Sequence, residues 1–253
     1  MDIINTAFLW VHIAAGFIGL SVYWIPIFSR KGGANHRRYG KIFVNAGYIV
    51  VGAAILSIGM RAVRTIMADI PFEEAANFWG FAIFLTYLSL IAFIMLRFGT
   101  LVLTEKKDPT RLANTANMAL GGGAIIGSIA VIAYALIVKP PLMIVLLSLS
   151  PIGLLTGPQI IGYFKGRETS KRAWWYTHMG TMIGAGIAFH TAFFVFGATR
   201  LFDLGIKGPY AFIPWILPTL IGVPANIIWE RYYRKKFNDP KPGRKAIAQE
   251  DIA

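Results

Sequence analysis

The sequence has no cysteine, which removes disulfides, thiolate metal ligands, iron–sulfur clusters and thiol nucleophiles together. It does not reveal the redox compartment, because zero cysteines are compatible with any. Acidic residues are scarce: 12 Asp and Glu stand against 25 Lys and Arg in 253 residues, a net charge of +13. The acids fall in loops, tails or the ends of apolar runs, so no run has a central carboxylate to carry a proton or sodium ion, and carboxylate-based ion coupling is not expected. A membrane hydrolase built on serine, histidine and acid lacks its acid at depth, and neither a glycine-rich phosphate loop nor an HExxH helix appears. Long polar stretches are missing too. Without one the basic residues have no exposed face on which to assemble, so nucleic acid is not an expected partner.

What is there is apolar. The chain is 56% hydrophobic and 15% charged with a mean hydropathy of +0.57, which places it in the all-α polytopic membrane class with the lipid bilayer as its solvent. At roughly 20 apolar residues per span, about seven transmembrane helices are expected: Asn5 to Phe28, Ile42 to Met60, Phe78 to Leu103, Met118 to Val138, Leu142 to Phe164, Ala173 to Thr199 and Tyr210 to Tyr233. Asp2 replaces a basic n-region and no small-residue cleavage site follows, so the first span reads as retained. Lys139-Pro140-Pro141 forces a hairpin, and Pro214, Pro218 and Pro224 should bend the last span.

Lys and Arg crowd the connections one-two, three-four and five-six and the C-terminal tail. By the positive-inside rule the N-terminus is outside and the C-terminus cytoplasmic, which requires an odd number of spans. Residues 1–236 read as one transmembrane domain and 237–253 as a basic, disordered cytoplasmic tail. No internal repeat supports an inverted-repeat transporter.

The four histidines are the candidate functional residues, since intramembrane ionisable groups are costly. Counting along the spans at about 1.5 Å per residue, His12 and His190 share a level in the outer half, about 10 and 14 Å from the outer ends of their helices, while His178 lies about 8 Å inside the cytoplasmic end. His36 sits in the basic loop SRKGGANHRRYGK at that same face. Two imidazole pairs on opposite sides of a bilayer suit b-type haem or a metal ion. Arg61, Arg64 and Arg200 lie where they could neutralise the propionates of an outer haem, and Gly180, Gly184 and Gly186 give a smooth surface for a flat ring or a neighbouring helix. The twelve residues between His178 and His190 turn them about 120° apart, so they face different neighbours.

The junction NHRRYGKIFV, with His36, Arg37 and Gly40, and the opening WWYTHMGTM, with His178, Met179 and Met182, resemble a family of bacterial multi-span membrane proteins that share a domain of unknown function. The resemblance implies a multi-pass protein of the bacterial inner membrane with His36 and His178 as signature positions. It implies no substrate, reaction or cofactor.

Three readings stay open on the sequence. The first is a histidine-ligated haem- or metal-binding protein in a redox or accessory role, not necessarily an enzyme. The others are a carrier for a small molecule, using the glycine-faced spans and the bent last span as its cavity, and a structural or assembly subunit of a membrane complex.

Overall fold

Glycine, proline and asparagine mark helix starts in this chain, and several helices begin earlier than hydropathy alone indicates. The computed structural model describes residues 2–141, 143–167, 170–198, 201–202, 210 and 212–239. They form α1 (Asp2–Phe28), α2 (Ala34–Met67), α3 (Phe72–Leu101), a 3-10 turn (Pro109–Leu112), α4 (Thr115–Val138), α5 (Met143–Leu149), α6 (Pro151–Phe164), α7 (Ala173–Ala192) continued by a π-helical turn (Phe193–Ala198), and α8 (Ile213–Lys236). There is no strand among the described residues.

Six helices among the described residues are long and apolar enough to cross a membrane: α1, α2, α3, α4, the α5–α6 pair, and α7 with its π turn. α8 is 24 residues long but carries Glu230, Arg231 and the run Arg234 to Lys236, and it does not reach that standard. Its helix continues through Pro218 and Pro224.

Three boundaries differ from the hydropathy reading. α2 starts at Ala34, so His36 and Arg37 to Lys41 are helical and do not form a loop. Gly32, at φ +74°, takes a conformation that side chains rarely adopt and confines the reversal to a few residues. At 34 residues α2 is about 51 Å long, well beyond a bilayer core of about 30 Å; its charged first turns extend past the apolar layer, where hydropathy does not register them. α3 starts at Phe72, with Glu73 and Glu74 in its first turn, where carboxylates complement the positive helix end. The fifth span breaks at Ser150, because Pro151 starts α6 and has no N–H to continue the ladder.

α3 is the central post. The most apolar window of this helix is 44% buried against 11% for α1, and α3 packs on α2, α4 and α7. α1 and α2 form an antiparallel hairpin, α4 packs on α6, and α8 on α7. The α4–α6 approach depends on glycine: a Cβ on Gly157 would lie 2.5 Å from the Gly121 carbonyl oxygen, and one on Gly153 would strike that of Ala124. At the kink, buried Tyr87 donates to the Ser150 carbonyl at 2.7 Å and accepts the Gly153 N–H at 2.8 Å. The proline-broken backbone thereby keeps its polar groups paired, as lipid requires.

Three contacts gather the basic connections at one end of the bundle. Gly166 lies against Thr110, joining the segment after α3 to that after α6. Arg172 donates to the Phe237 carbonyl at 3.4 Å and stacks 4.7 Å from its ring, tying in the C-terminal end of α8. Asp239 accepts from Ser170 and from Tyr176, so residues 237–239 are packed on α7; the rest of the expected tail lies outside the described residues.

Candidate functional site

A helix ends with carbonyls that have no partner within the helix, and the two histidines at the basic end occupy such carbonyls. In α1 the Ile25 oxygen is taken by Ser29, whose N–H and hydroxyl both donate to it. The Pro26 oxygen accepts from Lys31 Nζ at 3.1 Å and from His36 Nδ1 at 3.0 Å, and Lys31 also reaches Ile27. Burial in this position lowers the Lys31 pKa from its usual 10.5. In α3 the last turn tightens: Val102 N–H bonds Phe98, while Leu103 N–H passes over Gly99 to bond Thr100 at 3.2 Å. The Gly99 carbonyl left over accepts from His178 Nδ1 at 2.7 Å. Gly99 is also where α7 comes closest, since a Cβ there would strike Met182 and Thr181.

These two anchors bring His36 and His178 together, with ring centroids 6.2 Å apart at an interplanar angle of 66°, an edge-on arrangement. A carbonyl can only accept, so Nδ1 carries the proton in each neutral ring and the lone pair is on Nε2. That is the tautomer a metal-binding imidazole needs, oriented by a backbone bond of the kind found behind metal-ligating histidines. The negative ends of α1 and α3 and the positive end of α2 meet here, so the helix dipoles largely offset one another.

The other two histidines differ. His12 Nδ1 donates to the Val50 carbonyl at 2.9 Å, in the middle of α2, and His190 Nδ1 to Gly186 at 2.7 Å, one turn back in its own helix. His190 packs edge-on against Tyr23 and Trp24, at centroid distances of 5.3 and 5.4 Å. Phe189 covers Gly19 and Phe193 meets Phe17, so the level of His190 falls at least seven residues along α1 from His12, about 10 Å or more of axial rise. The matched depth of His12 and His190 is therefore corrected. Counting inward from the ends of two apolar runs assumes that both ends lie at one level, and these do not. The twelve-residue spacing does send His178 to α2 and α3 and His190 to α1.

Arg61 is exposed and Arg64 half-buried in the last turns of α2, at the opposite end of that helix from His36; Arg200 lies outside the described residues. The glycine surface of α7 is filled by side chains: Tyr23 covers Gly186, Met95 lies over Gly184, and Asn226 over Gly180. Two groups escaped the sequence reading. Arg97 is a lone cation inside α3, visible as a charge in an apolar run. Arg234 is only 8% exposed, paired with Glu230 at 2.7 Å and stacked 4.0 Å from the Tyr176 ring, and nothing in a basic run such as Arg234 to Lys236 distinguishes its buried member. Among the described residues no group of three or more His, Asp or Glu side chains converges to hold a metal ion.

Comparison with protein-family models, curated proteins and solved structures returns no match. The fold and the site thus define a class by their own features: an all-helical bundle with six helices capable of spanning a membrane and an oriented imidazole pair at its basic end.

Proposed function

We propose that this chain is a seven-helix protein of the bacterial inner membrane, with its basic end in the cytoplasm, in which His36 and His178 ligate one haem iron in an electron-transfer or accessory role. The observation that carries the reading is the spacing of the two rings with both Nδ1 atoms pinned. The ring centroids are 6.2 Å apart and a metal-bound imidazole nitrogen lies about 2.0–2.1 Å from its ion, so the two Nε2 lone pairs, if turned toward each other, would reach one ion.

Two protein ligands leave a bare ion under-coordinated, whereas a macrocycle supplies the other four positions, which favours haem over a free metal ion. Arg37, Arg38 and Lys41 on the first turns of α2 offer cationic partners for carboxylate side groups. A haem held there would supply one-electron transfer near the cytoplasmic surface. The family resemblance rests on the same two histidines. The seventh span is α8, with its basic C-terminal turns at the cytoplasmic face.

The test is the absorption spectrum of protein purified after expression with ample haem. A Soret band that is present in the wild type and lost in His36→Phe and His178→Phe supports the reading. A colourless wild type with no bound iron overturns it.

A further inference from the structure

We propose that residues 237–239 are a latch that fixes His178 from the far side of α7, with the hold of Asp239 on Tyr176 as its key contact. The way α8 ends aims the latch. Asn238 takes a left-handed conformation at φ +47°. Around it the Asp239 N–H reaches back to the Arg234 carbonyl at 2.9 Å and the Asn238 N–H to that of Lys235 at 3.2 Å, the pair of bonds that closes a helix followed by such a residue. The reversal carries Asp239 onto the start of α7, where one carboxylate oxygen, Oδ2, accepts the hydroxyls of Ser170 at 2.5 Å and Tyr176 at 3.1 Å. Phe237 adds its ring, edge-on to Trp175 at 5.5 Å.

Tyr176 is 6% exposed and is gripped twice, by Asp239 at its hydroxyl and by the Arg234 guanidinium 4.0 Å from the ring centroid. Arg234 is paired with Glu230, yet its buried Nη1 has no hydrogen-bond partner among the described residues. A buried donor left unpaired costs stability, and apolar side chains of similar size would often serve stability as well as a buried ion pair does. What the polar contacts supply is a single register, because their directional bonds are lost when one helix slides or turns on the other. The contact between the ends of α7 and α8 therefore has the marks of a positioning device.

What it positions follows from the helix. Tyr176 and His178 are two residues apart, about 200° around α7, so Tyr176 faces α8 while His178 faces the Gly99 carbonyl and His36. The first turns of α7 are held between these two grips, and a shift at one side moves the other. The latch acts on the seat of the imidazole, whatever that imidazole binds.

Nitrogen-15 NMR of the histidine-labelled full chain in detergent, expressed without added haem, tests it together with hydrogen exchange. The chain has four histidines, and each signal is assigned by a single substitution. Asp239→Ala should shift the His178 and His36 ring signals and leave those of His12 and His190 in place. It should also quicken exchange of the α7 amides at 173–178 about tenfold, the effect of losing a hydrogen bond to a charged group. Tyr176→Phe, which keeps the ring and removes only the hydroxyl, should shift the same two signals by less, and it decides the matter if Asp239→Ala fails to fold. Asp239→Asn, which still presents an amide oxygen to the hydroxyls, should keep most of the wild-type spectrum. An unchanged His178 signal in Asp239→Ala or Tyr176→Phe, equal shifts at His12 and His190, or a spectrum of Asp239→Asn as altered as that of Asp239→Ala would each overturn the latch.

Discussion

Each of the four histidines donates from Nδ1 to a backbone carbonyl, yet the two ends of the bundle use that bond differently. At the basic end the acceptors, Pro26 and Gly99, are carbonyls that the ends of α1 and α3 leave over. For His12 and His190 the acceptors, Val50 and Gly186, lie inside continuous helices, where the carbonyl already has an i+4 partner. A bond to a left-over carbonyl satisfies a group with no partner in its own helix, as at Gly99; the Pro26 carbonyl is shared with Lys31. A bond to a carbonyl already in the ladder adds a second, weaker share. The basic end therefore has two imidazoles with centroids 6.2 Å apart, each held at a helix-end carbonyl, while His12 rests on α2 and His190 packs against Tyr23 and Trp24.

The sharpest way to break this contrast is to remove each histidine in turn. If His36 and His178 hold haem as proposed, Phe at either position should abolish its absorbance, a loss of tenfold or more in bound cofactor, because one of the two imidazoles that would hold it is gone. His12→Phe and His190→Phe should retain the band. Loss of absorbance in His12→Phe or His190→Phe, with the band kept in His36→Phe and His178→Phe, would move the site away from the His36–His178 pair.

How far the sequence reached follows from the same contrast. The apolar runs announce about seven spans because a bilayer demands about 20 apolar residues from each, and six helices among the described residues are long and apolar enough to cross. Charged extensions carry no such signal, and so the start of α2 at Ala34 and the helical setting of His36 were not legible. The Ser150 break had a visible cause in Pro151, obscured because hydropathy windows average over a single proline. Placing His178 near His36 needed only topology and loop charge. Pairing His12 with His190 required the relative axial offset of α1 and α7, which is decided by Phe189 packing into Gly19 and has no signature in either helix alone. Arg97 was in plain view as a charge within a span, but its lack of an acidic partner is a tertiary fact.

Two glycine replacements separate stability from site geometry. Gly99→Ala puts a methyl against Met182 and Thr181, and Gly153→Ala puts one against the Ala124 carbonyl. Overpacking of this kind costs about 1–3 kcal/mol, and both variants should melt earlier in detergent. Only Gly99→Ala displaces the helix that carries His178, so it alone should also reduce or shift the haem band. An equal spectral change in Gly153→Ala would mean that the His36–His178 geometry responds to general loosening and is not set at Gly99. Smaller again is the loss of the His12 bond. His12→Phe should cost about 0.5–1.5 kcal/mol, the net worth of one hydrogen bond, read as a modest drop in melting temperature with the spectrum intact.

The smallest expected effect lies in the turn after α3, which supports the basic end from outside the apolar layer. Glu105 accepts the N–H groups of Lys107 and Asp108, and these bonds hold its pKa below the usual 4.5. Asp108 caps the 3-10 turn through the hydroxyl and N–H of Thr110, which lower its pKa from 3.8. Both carboxylates bind protons less readily in the folded turn than in the unfolded chain. Their contribution is therefore fully present above the unfolded values and is lost as pH falls through the lower folded ones, a window below about pH 4. Hydrogen exchange across residues 104–112 should quicken in that window while the amides of α3 and α7 around the histidine pair stay protected. Glu105→Gln and Asp108→Asn should exchange fast in this turn at neutral pH and lose the pH dependence. Because both side chains are at the surface, the change should be confined to the turn; matching deprotection at Gly99 and His178 would show that the basic end is held together by this loop and not by the helix-end carbonyls.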